Sequence, residues 1–340
     1  MNKRTRSRRW LLTGAMAGCA LTLSACGGGS STPSDSSPST SANTPSTSGG
    51  SASYAIGSTI PTFNHPFFVA MRKGLEDEAK AQGATINVID GKNDAQTQLS
   101  AIDTFAVQKV NALILCPTET KTLVPGVEKA NQAKIPVITV NRVVDGGDVV
   151  TYVGADDKEG GKLQGQAVLD ALPKGGKIVL LQGVIGSSPQ RDREAGLEEA
   201  LKGKTGYEIV QRTPYDFDRT KGVSAMETVL LKFPKGSIDA VVAQSDDGAL
   251  AAADVCAQKG RSELKIIGFN GESDAFKYID EGKIYATVLQ DAETQGREAV
   301  KATIKHLKGE KVANPQITPL YLVSKKNLKE HKPAWQSTSS

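Results

Sequence analysis

The sequence has few of the residues that common catalytic motifs need. Two of its four cysteines lie in the first 26 residues, and its three histidines, His65, His306 and His331, are far apart. It contains no GxxxxGK[ST] phosphate loop, GxSxG elbow, HExxH motif or CxxC pair, and no GxGxxG loop follows the first predicted strand. The sequence therefore predicts no enzyme activity, no metal site and no cofactor.

A long apolar run occurs only near the start of the chain. MNKRTRSRRW carries five Lys and Arg residues and is followed by LLTGAMAGCALTLSAC. This pattern is typical of a signal peptide over residues 1–26 and is too short for a membrane span. The stretch LSAC resembles a bacterial lipobox, which predicts lipidation of Cys26. An ordinary secretory signal is the alternative, and SRRWLL leaves open export by the twin-arginine route.

Excess positive charge is also absent from the predicted mature chain. The whole chain is formally +4, and without the five leader charges it is −1, so the sequence predicts no nucleic-acid partner. Residues 27–53 hold one charge and almost nothing apolar, which predicts a disordered Ser/Thr/Gly/Pro tether. Cys116 and Cys256 remain outside the leader, either as small buried side chains or as a disulfide.

Short β-branched runs alternate with helical segments through the rest of the chain. The ten runs occupy residues 53–60, 84–90, 112–116, 136–141, 149–154, 177–183, 207–213, 240–245, 265–270 and 285–290. Most are apolar throughout, as in parallel strands covered on both faces. The rhythm predicts a doubly wound α/β fold, and its size predicts two lobes. Gly260 is expected to stop a helix.

Polar residues follow many of these runs. Examples are Asn64, Asn141-Arg142, Ser245, Asn270 and Gln290. Such residues also cap helices, so each alone carries little weight. Because ligands of open α/β sheets bind at the carboxyl ends of strands, together they predict a shared polar cleft.

Seven stretches resemble the type I periplasmic sugar-binding proteins, and within them the ribose-binding group. They are NHPFF (64–68), PVITVNR (136–142), LQGVIGSSPQRDREAG (181–196), YDFDRTKG (215–222), AQSDDGALA (243–251), GFNGESD (268–274) and ATVLQDAETQG (286–296). The resemblance implies two Rossmann-like lobes, each a parallel sheet flanked by helices, joined by three hinge crossings near 155–156, 290–291 and 319–320. Lobe 1 would comprise 54–155 and 291–319, and lobe 2 would comprise 156–290 and 320–330.

The resemblance also implies which residues hold the ligand. It places Phe68 and Phe217 on opposite faces of a sugar ring, with Phe67 alongside. The implied polar partners are Asn64 or His65, Asn141, Arg142, Arg191, Ser245, Asn270 and Gln290. Arg193 is expected to be a surface charge.

Four positions depart from the ribose binders of this group. Those proteins typically have aspartate at Asn141 and Asn270, and asparagine at Ser245 and His65. Loss of two carboxylates makes the predicted pocket more positive, which admits another pentose, a hexose, a polyol or an acidic sugar. The exact ligand therefore stays open.

The implied function is an extracytoplasmic lipoprotein that captures a monosaccharide or polyol and delivers it to an ABC permease and its ATPase. It would act as a monomer, anchored to the membrane through lipid at Cys26. A sugar sensor serving a membrane receptor is the alternative. A lactose-repressor-type regulator would need a helix-turn-helix before residue 54, and a glycosidase would need paired acids in the cleft.

Overall fold

A computed structural model describes residues 53–334 as an α/β protein built on two six-stranded sheets. The predicted signal peptide, Cys26 and nearly all of the predicted tether lie outside the described residues. Among the described helices, none combines the length and apolar character needed to cross a bilayer.

The first sheet has the strand order β11-β5-β4-β3-β1-β2, and all of its neighbours are parallel. Its strands are β1 (Ala55–Ile60), β2 (Thr85–Asp90), β3 (Ala112–Leu115), β4 (Val137–Val140), β5 (Thr151–Gly154) and β11 (Gln316–Ile317). Its helices are α1 (Pro66–Ala81), α2 (Ala95–Gln108), α3 (Val124–Gln132) and α9 (Ala292–Leu307). These elements form the first lobe.

The second sheet has the order β12-β10-β9-β8-β6-β7 and is parallel except for β12, which runs antiparallel to β10. Its strands are β6 (Gly176–Gln182), β7 (Tyr207–Pro214), β8 (Ala240–Ala243), β9 (Lys265–Asn270), β10 (Ala286–Leu289) and β12 (Tyr321–Ser324). Its helices are α4 (Asp157–Ala171), α5 (Ser188–Leu201), α6 (Arg219–Lys232), α7 (Asp246–Gln258) and α8 (Ser273–Asp280), and a 3-10 turn follows at Leu328–Glu330. These elements form the second lobe.

All ten predicted strands are present. The central strands β3, β4, β8 and β10 are buried along their whole length, which explains their continuous apolar character. Helix α7 ends as predicted, because Gly260 follows it with a left-handed φ of 66°. Cys116 and Cys256 are both buried and free, and burial raises the pKa of each thiol to about 12.

The chain passes between the lobes three times. The passages lie between β5 and α4, between β10 and α9, and between β11 and β12. The residue-level lobe boundaries stay a prediction. The short strands β11 and β12 were not predicted, because two to four residues carry too little pattern to be seen in sequence.

Candidate functional site

The carboxyl ends of both sheets border one cavity. It is lined by His65, Phe67, Phe68, Asn141, Arg142, Pro189, Arg193, Phe217, Ser245, Asn270 and Gln290. Parallel strands whose connections run to helices bring such turn residues to the same edge. Of the residues predicted to bind ligand, all but Asn64 and Arg191 line this cavity. Their role in binding stays a prediction.

Two aromatic rings, those of Phe68 and Phe217, line the cavity. Phe68 belongs to the first turn of α1 and is 5% exposed, and its ring packs at 90° against Phe67. Phe217 comes from the loop between β7 and α6, where Asp216 and Phe217 adopt left-handed φ values of 58° and 57°. The turn directs Phe217 against Tyr215, whose ring centroid is 6.0 Å away. Each lobe therefore supplies one of the two rings.

Arg142 lies between these rings. Its guanidinium carbon is 5.4 Å from the Phe68 centroid and 5.7 Å from the Phe217 centroid. One terminal nitrogen donates to the carbonyls of Pro117 and Thr118, and the buried Nε has no partner within the described chain. No carboxylate in residues 53–334 forms a salt bridge with it. Burial lowers the pKa of Arg142 from its ordinary value.

The structure reverses the predicted positions of the two arginines of α5. Arg193 lines the cavity and is 3% exposed; it donates to Asp157 over 2.8 Å and lies 3.5 Å above the ring of Phe269. Arg191 is outside the cavity, with 49% of its side chain exposed, and pairs with Asp192 and Asp145. Two helical residues advance the direction of the side chain by about 200°, so the two arginines occupy opposite faces. The sequence shows both charges but not this rotation.

His65, rather than Asn64, faces the cavity after β1. Asn64 is exposed and lines an adjoining outer groove that His65, Phe68, Arg142 and Phe217 also line, so its role in binding stays a prediction. His65 caps α1, because its Nδ1 accepts from the Phe67 amide over 3.1 Å. Its Nε2 then carries the proton and donates to Asp247 of the second lobe over 2.7 Å.

Buried acids lie behind this contact. Asp246 accepts from the amides of Gly271 and Glu272 and from the Thr287 hydroxyl, and burial raises its pKa to about 7. Burial and the nearby Asp247 raise the pKa of Glu272 well above its usual value. Burial opposes ionisation of Asp247 too, but His65 holds its pKa below the ordinary value.

His65, Asp247 and Glu272 are close enough to be considered as a metal site, since their ligand atoms lie within 4.8 Å of one another. However, His65 uses Nδ1 to accept from the helix and Nε2 to donate to Asp247. Neither nitrogen has a free lone pair, so the arrangement is a hydrogen-bonded pair beside a buried acid.

Four buried amides form a continuous chain from one wall of the cavity to the other. Asn141 donates to Gln295 over 3.1 Å, Gln295 donates to Gln290 over 3.0 Å, and Gln290 donates to Asn270 over 2.9 Å. All four are at most 4% exposed. Gln295 was not among the predicted residues, although its place five residues after Gln290, across the start of α9, is visible in the sequence.

Residues that support the cavity from behind were also missed. Asp157 fixes Arg193, and burial raises the pKa of its carboxyl despite that contact. Ser245, which was predicted, is held through its hydroxyl by Tyr215 over 2.7 Å. Pro189 lines the cavity from the first turn of α5. Proline is common at the first position of a helix for structural reasons, so nothing in the sequence indicated that Pro189 belongs to the site.

Known proteins are similar to this chain in sequence and fold. The family described as "Periplasmic binding protein domain" matches residues 56–311. The ribose import binding protein of Bacillus subtilis is 37% identical over 273 residues, which cover 80% of this chain and 88% of that protein.

Two solved structures are similar throughout. An ABC transporter solute-binding protein from Mycobacterium smegmatis with bound glycerol has a TM-score of 0.78 and 34% identity, covering 82% of this chain and 96% of its own. One from Bacillus halodurans with bound myo-inositol has a TM-score of 0.78 and 31% identity, covering 83% and 98%.

Proposed function

The chain belongs to the type I periplasmic sugar-binding proteins of the ribose-binding group, and we propose that it captures a monosaccharide or polyol outside the cytoplasm for an ABC import permease. One observation carries the proposal. Phe68, Phe217 and Arg142 meet around a cavity whose polar lining comes from both lobes.

The two kinds of lining match the two kinds of surface on a sugar. The C–H faces of a sugar ring are apolar and pack against aromatic rings, here those of Phe68 and Phe217. The hydroxyl rim needs fixed donors and acceptors. Arg142 supplies rigidly placed donors, and the side chains of Asn141 and Asn270 supply amides.

Binding then favours closure, because a ligand held by both lobes has more contacts when they are together. The three passages between the lobes provide the hinge. The relatives are named as binding proteins, and capture by closure changes no bond in the ligand. We therefore propose that the protein releases its ligand unchanged to the permease. A membrane receptor in place of the permease would use the same cavity.

The geometry favours a neutral ligand over an acidic sugar. The acidic-sugar hypothesis relied on Arg142 and Arg191 acting together, and Arg191 lies outside the cavity. Arg193 takes its place, but Asp157 already compensates its charge. Of the two cavity arginines, Arg142 is the one without a carboxylate partner among residues 53–334, and its Nε–H suits a hydroxyl or ring oxygen.

We also propose that the protein acts as a monomer held at the membrane by lipid on Cys26. The relatives support an extracytoplasmic site of action, and the lipobox-like LSAC supports the anchor. A tether of residues 27–53 would keep the binding domain at high effective concentration near its permease. Cys26→Ser should move the protein from the membrane fraction to the soluble fraction, and unchanged partitioning would refute the anchor.

Thermal unfolding of the full chain against a ligand panel tests the function. The panel comprises D-ribose, other pentoses, hexoses, glycerol, xylitol, myo-inositol and sugar acids. A ligand at a hundredfold its Kd adds about 2.7 kcal/mol to the free energy of unfolding and raises the midpoint visibly. We expect a neutral sugar or polyol to do so, while a panel without any shift would overturn the proposal.

Phe217→Ala should then weaken the same ligand about tenfold or more, because it removes one aromatic wall. Phe233→Ala is the matched control, since Phe233 caps the far end of α6 and does not line the cavity. Equal losses in both variants would show that the cavity is not the binding site.

A further inference from the structure

The chain of buried amides has a direction. Gln295 accepts from Asn141 through Oε1 and donates to Gln290 through Nε2, and Gln290 repeats this pattern toward Asn270. Each glutamine therefore uses both ends of its amide. If one end is turned over, the other end turns with it, and the reversal passes to the next residue.

This chain connects two lobes. Asn141 follows β4 of the first lobe, Gln295 belongs to α9, Gln290 lies at a passage between the lobes, and Asn270 ends β9 of the second lobe. Asn270 also has an unusual φ of 126°, and its Nδ2 donates to Glu272 over 3.4 Å. Asn141 and Asn270 line the same cavity.

We infer that Gln290 and Gln295 act as a polarity relay, which couples the hydrogen-bonding character of Asn141 to that of Asn270, with Gln295 as its positioning residue. The inference deepens the proposed function and rests on it for the ligand. In the observed direction Asn141 donates to Gln295 through Nδ2, and its Oδ1 remains available to accept a hydrogen bond from a ligand. Asn270 receives a donor at Oδ1 and gives one Nδ2 proton to Glu272, which leaves its second Nδ2 proton to donate to a ligand.

The relay thus selects a ligand that donates a hydroxyl proton to the Asn141 wall and accepts one at the Asn270 wall. A neutral polyhydroxylated molecule meets both requirements, since every hydroxyl both donates and accepts. The relay also accounts for asparagine at both positions, because two terminal amides are compatible with either direction when Glu272, whose pKa burial raises well above its usual value, is protonated and can donate to Asn270.

Aspartate at one end is compatible with the relay, but aspartate at both ends is not. Asn270→Asp keeps the observed direction, since one oxygen still accepts from Gln290 and the other, in place of Nδ2, accepts from protonated Glu272, whose pKa burial raises well above its usual value. Asn141→Asp requires Gln295 and Gln290 to turn over, after which Asn270 donates. With both aspartates, any direction leaves two acceptors facing each other at one junction. A buried acceptor without a donor costs about 1–3 kcal/mol.

A double-mutant cycle tests this coupling. The variants are Asn141→Asp, Asn270→Asp and the two together, each in the native chain and in Gln295→Met. Affinities for D-ribose, xylitol and myo-inositol are measured by calorimetry, and the unfolding midpoint is measured without ligand. In the native chain we expect the double variant to bind at least about tenfold more weakly than the product of the single effects.

Gln295→Met cuts the relay, so the excess loss should vanish and the two single effects should multiply within about twofold. A merely structural role of Gln295 would not restore multiplicative behaviour. Gln164→Met is the matched control: Gln164 is a buried glutamine that donates to the carbonyls of Ala243 and Gly268, away from the cavity. The excess should persist in that background.

The possible outcomes distinguish a failure of the relay from a failure of the proposed function. If no ligand of the thermal panel binds, the proposed function fails, while an excess fall in the ligand-free midpoint that Gln295→Met abolishes still supports the relay. Binding with effects that multiply in every background overturns the relay alone. If the double aspartate variant does not fold, recovery of folding on adding Gln295→Met supports the relay. A triple variant that stays unfolded, although Gln295→Met and both single variants fold, refutes it.

Discussion

Arg142 and Arg193 line the same cavity, but their positive charges have different partners. Arg193 has Asp157 as a partner, whereas Arg142 donates only to main-chain carbonyls within the described residues and keeps a free Nε. A cation that is already paired has little to gain from a ligand. Arg142 is therefore the arginine whose interactions change most when a sugar enters.

Arg142→Ala should weaken the ligand found in the thermal panel about tenfold to a hundredfold, because a hydrogen bond to a charged group contributes about 1.5–3 kcal/mol. Calorimetry of the purified chain measures the change. Arg191→Ala is the comparison for removing a charge outside the cavity, and it should cost only about twofold to fivefold through loss of its pair with Asp145, since exposed ion pairs contribute about 0–1 kcal/mol. A larger loss for Arg191 than for Arg142 would contradict the assignment.

At the scale of elements, glycines let helices pack closely within each lobe. Added Cβ atoms at Gly74 of α1 and Gly296 of α9 would overlap backbone carbonyls of the facing helix. Gly161 of α4 and Gly196 of α5 have the same relation in the second lobe. Since α1 begins beside His65 and α5 carries Arg193, these contacts set where the site residues stand.

Gly74→Ala should lower the free energy of unfolding by about 1–3 kcal/mol, because the methyl group meets the Glu293 carbonyl and forces α1 and α9 apart. In an open helical position the same change stabilises by about 1 kcal/mol, so the sign is informative. Urea unfolding measures it. Lys80→Ala, at an exposed position of the same helix, should change little, and a stabilised Gly74→Ala would disprove close packing.

For the whole molecule, several polar contacts hold the lobes together around the cavity. Arg191 of the second lobe pairs with Asp145 of the first over 3.4 Å, and the Ser188 hydroxyl accepts from the Val143 amide over 3.1 Å. The amide of Thr120 donates to the Gly186 carbonyl over 3.1 Å. These contacts exist only when the lobes are close, so they favour closure without touching the cavity.

Asp145→Ala should therefore weaken ligand binding by about twofold to fivefold through the closure equilibrium, and the native affinity should fall with added salt by a similar factor. Calorimetry at low and high ionic strength tests both effects. Asp103→Ala breaks the Lys129 pair, which lies within the first lobe, and should leave affinity unchanged. If the Asp145→Ala variant binds as tightly as the native chain at low salt, the Arg191–Asp145 pair does not favour closure.

The sequence by itself determined the fold, the ten main strands and most of the cavity lining. Continuous apolar runs report local structure, and turn residues after strands report the sheet edge, so Asn141, Arg142, Ser245, Asn270 and Gln290 could be grouped without coordinates. The family resemblance added His65 to them. Only tertiary structure decided between Arg191 and Arg193, and between Asn64 and His65. Those choices depend on the rotation of one helix and the cap of another.

The amide chain was likewise decided by tertiary structure. Asn141 and Gln295 are 154 residues apart in sequence, and their contact arises because α9 of the returning chain packs beneath β4. Side-chain direction within a buried network depends on every neighbour at once. The residue types were visible in the sequence, but the partner of each amide exists only once both lobes and the passage between them have folded.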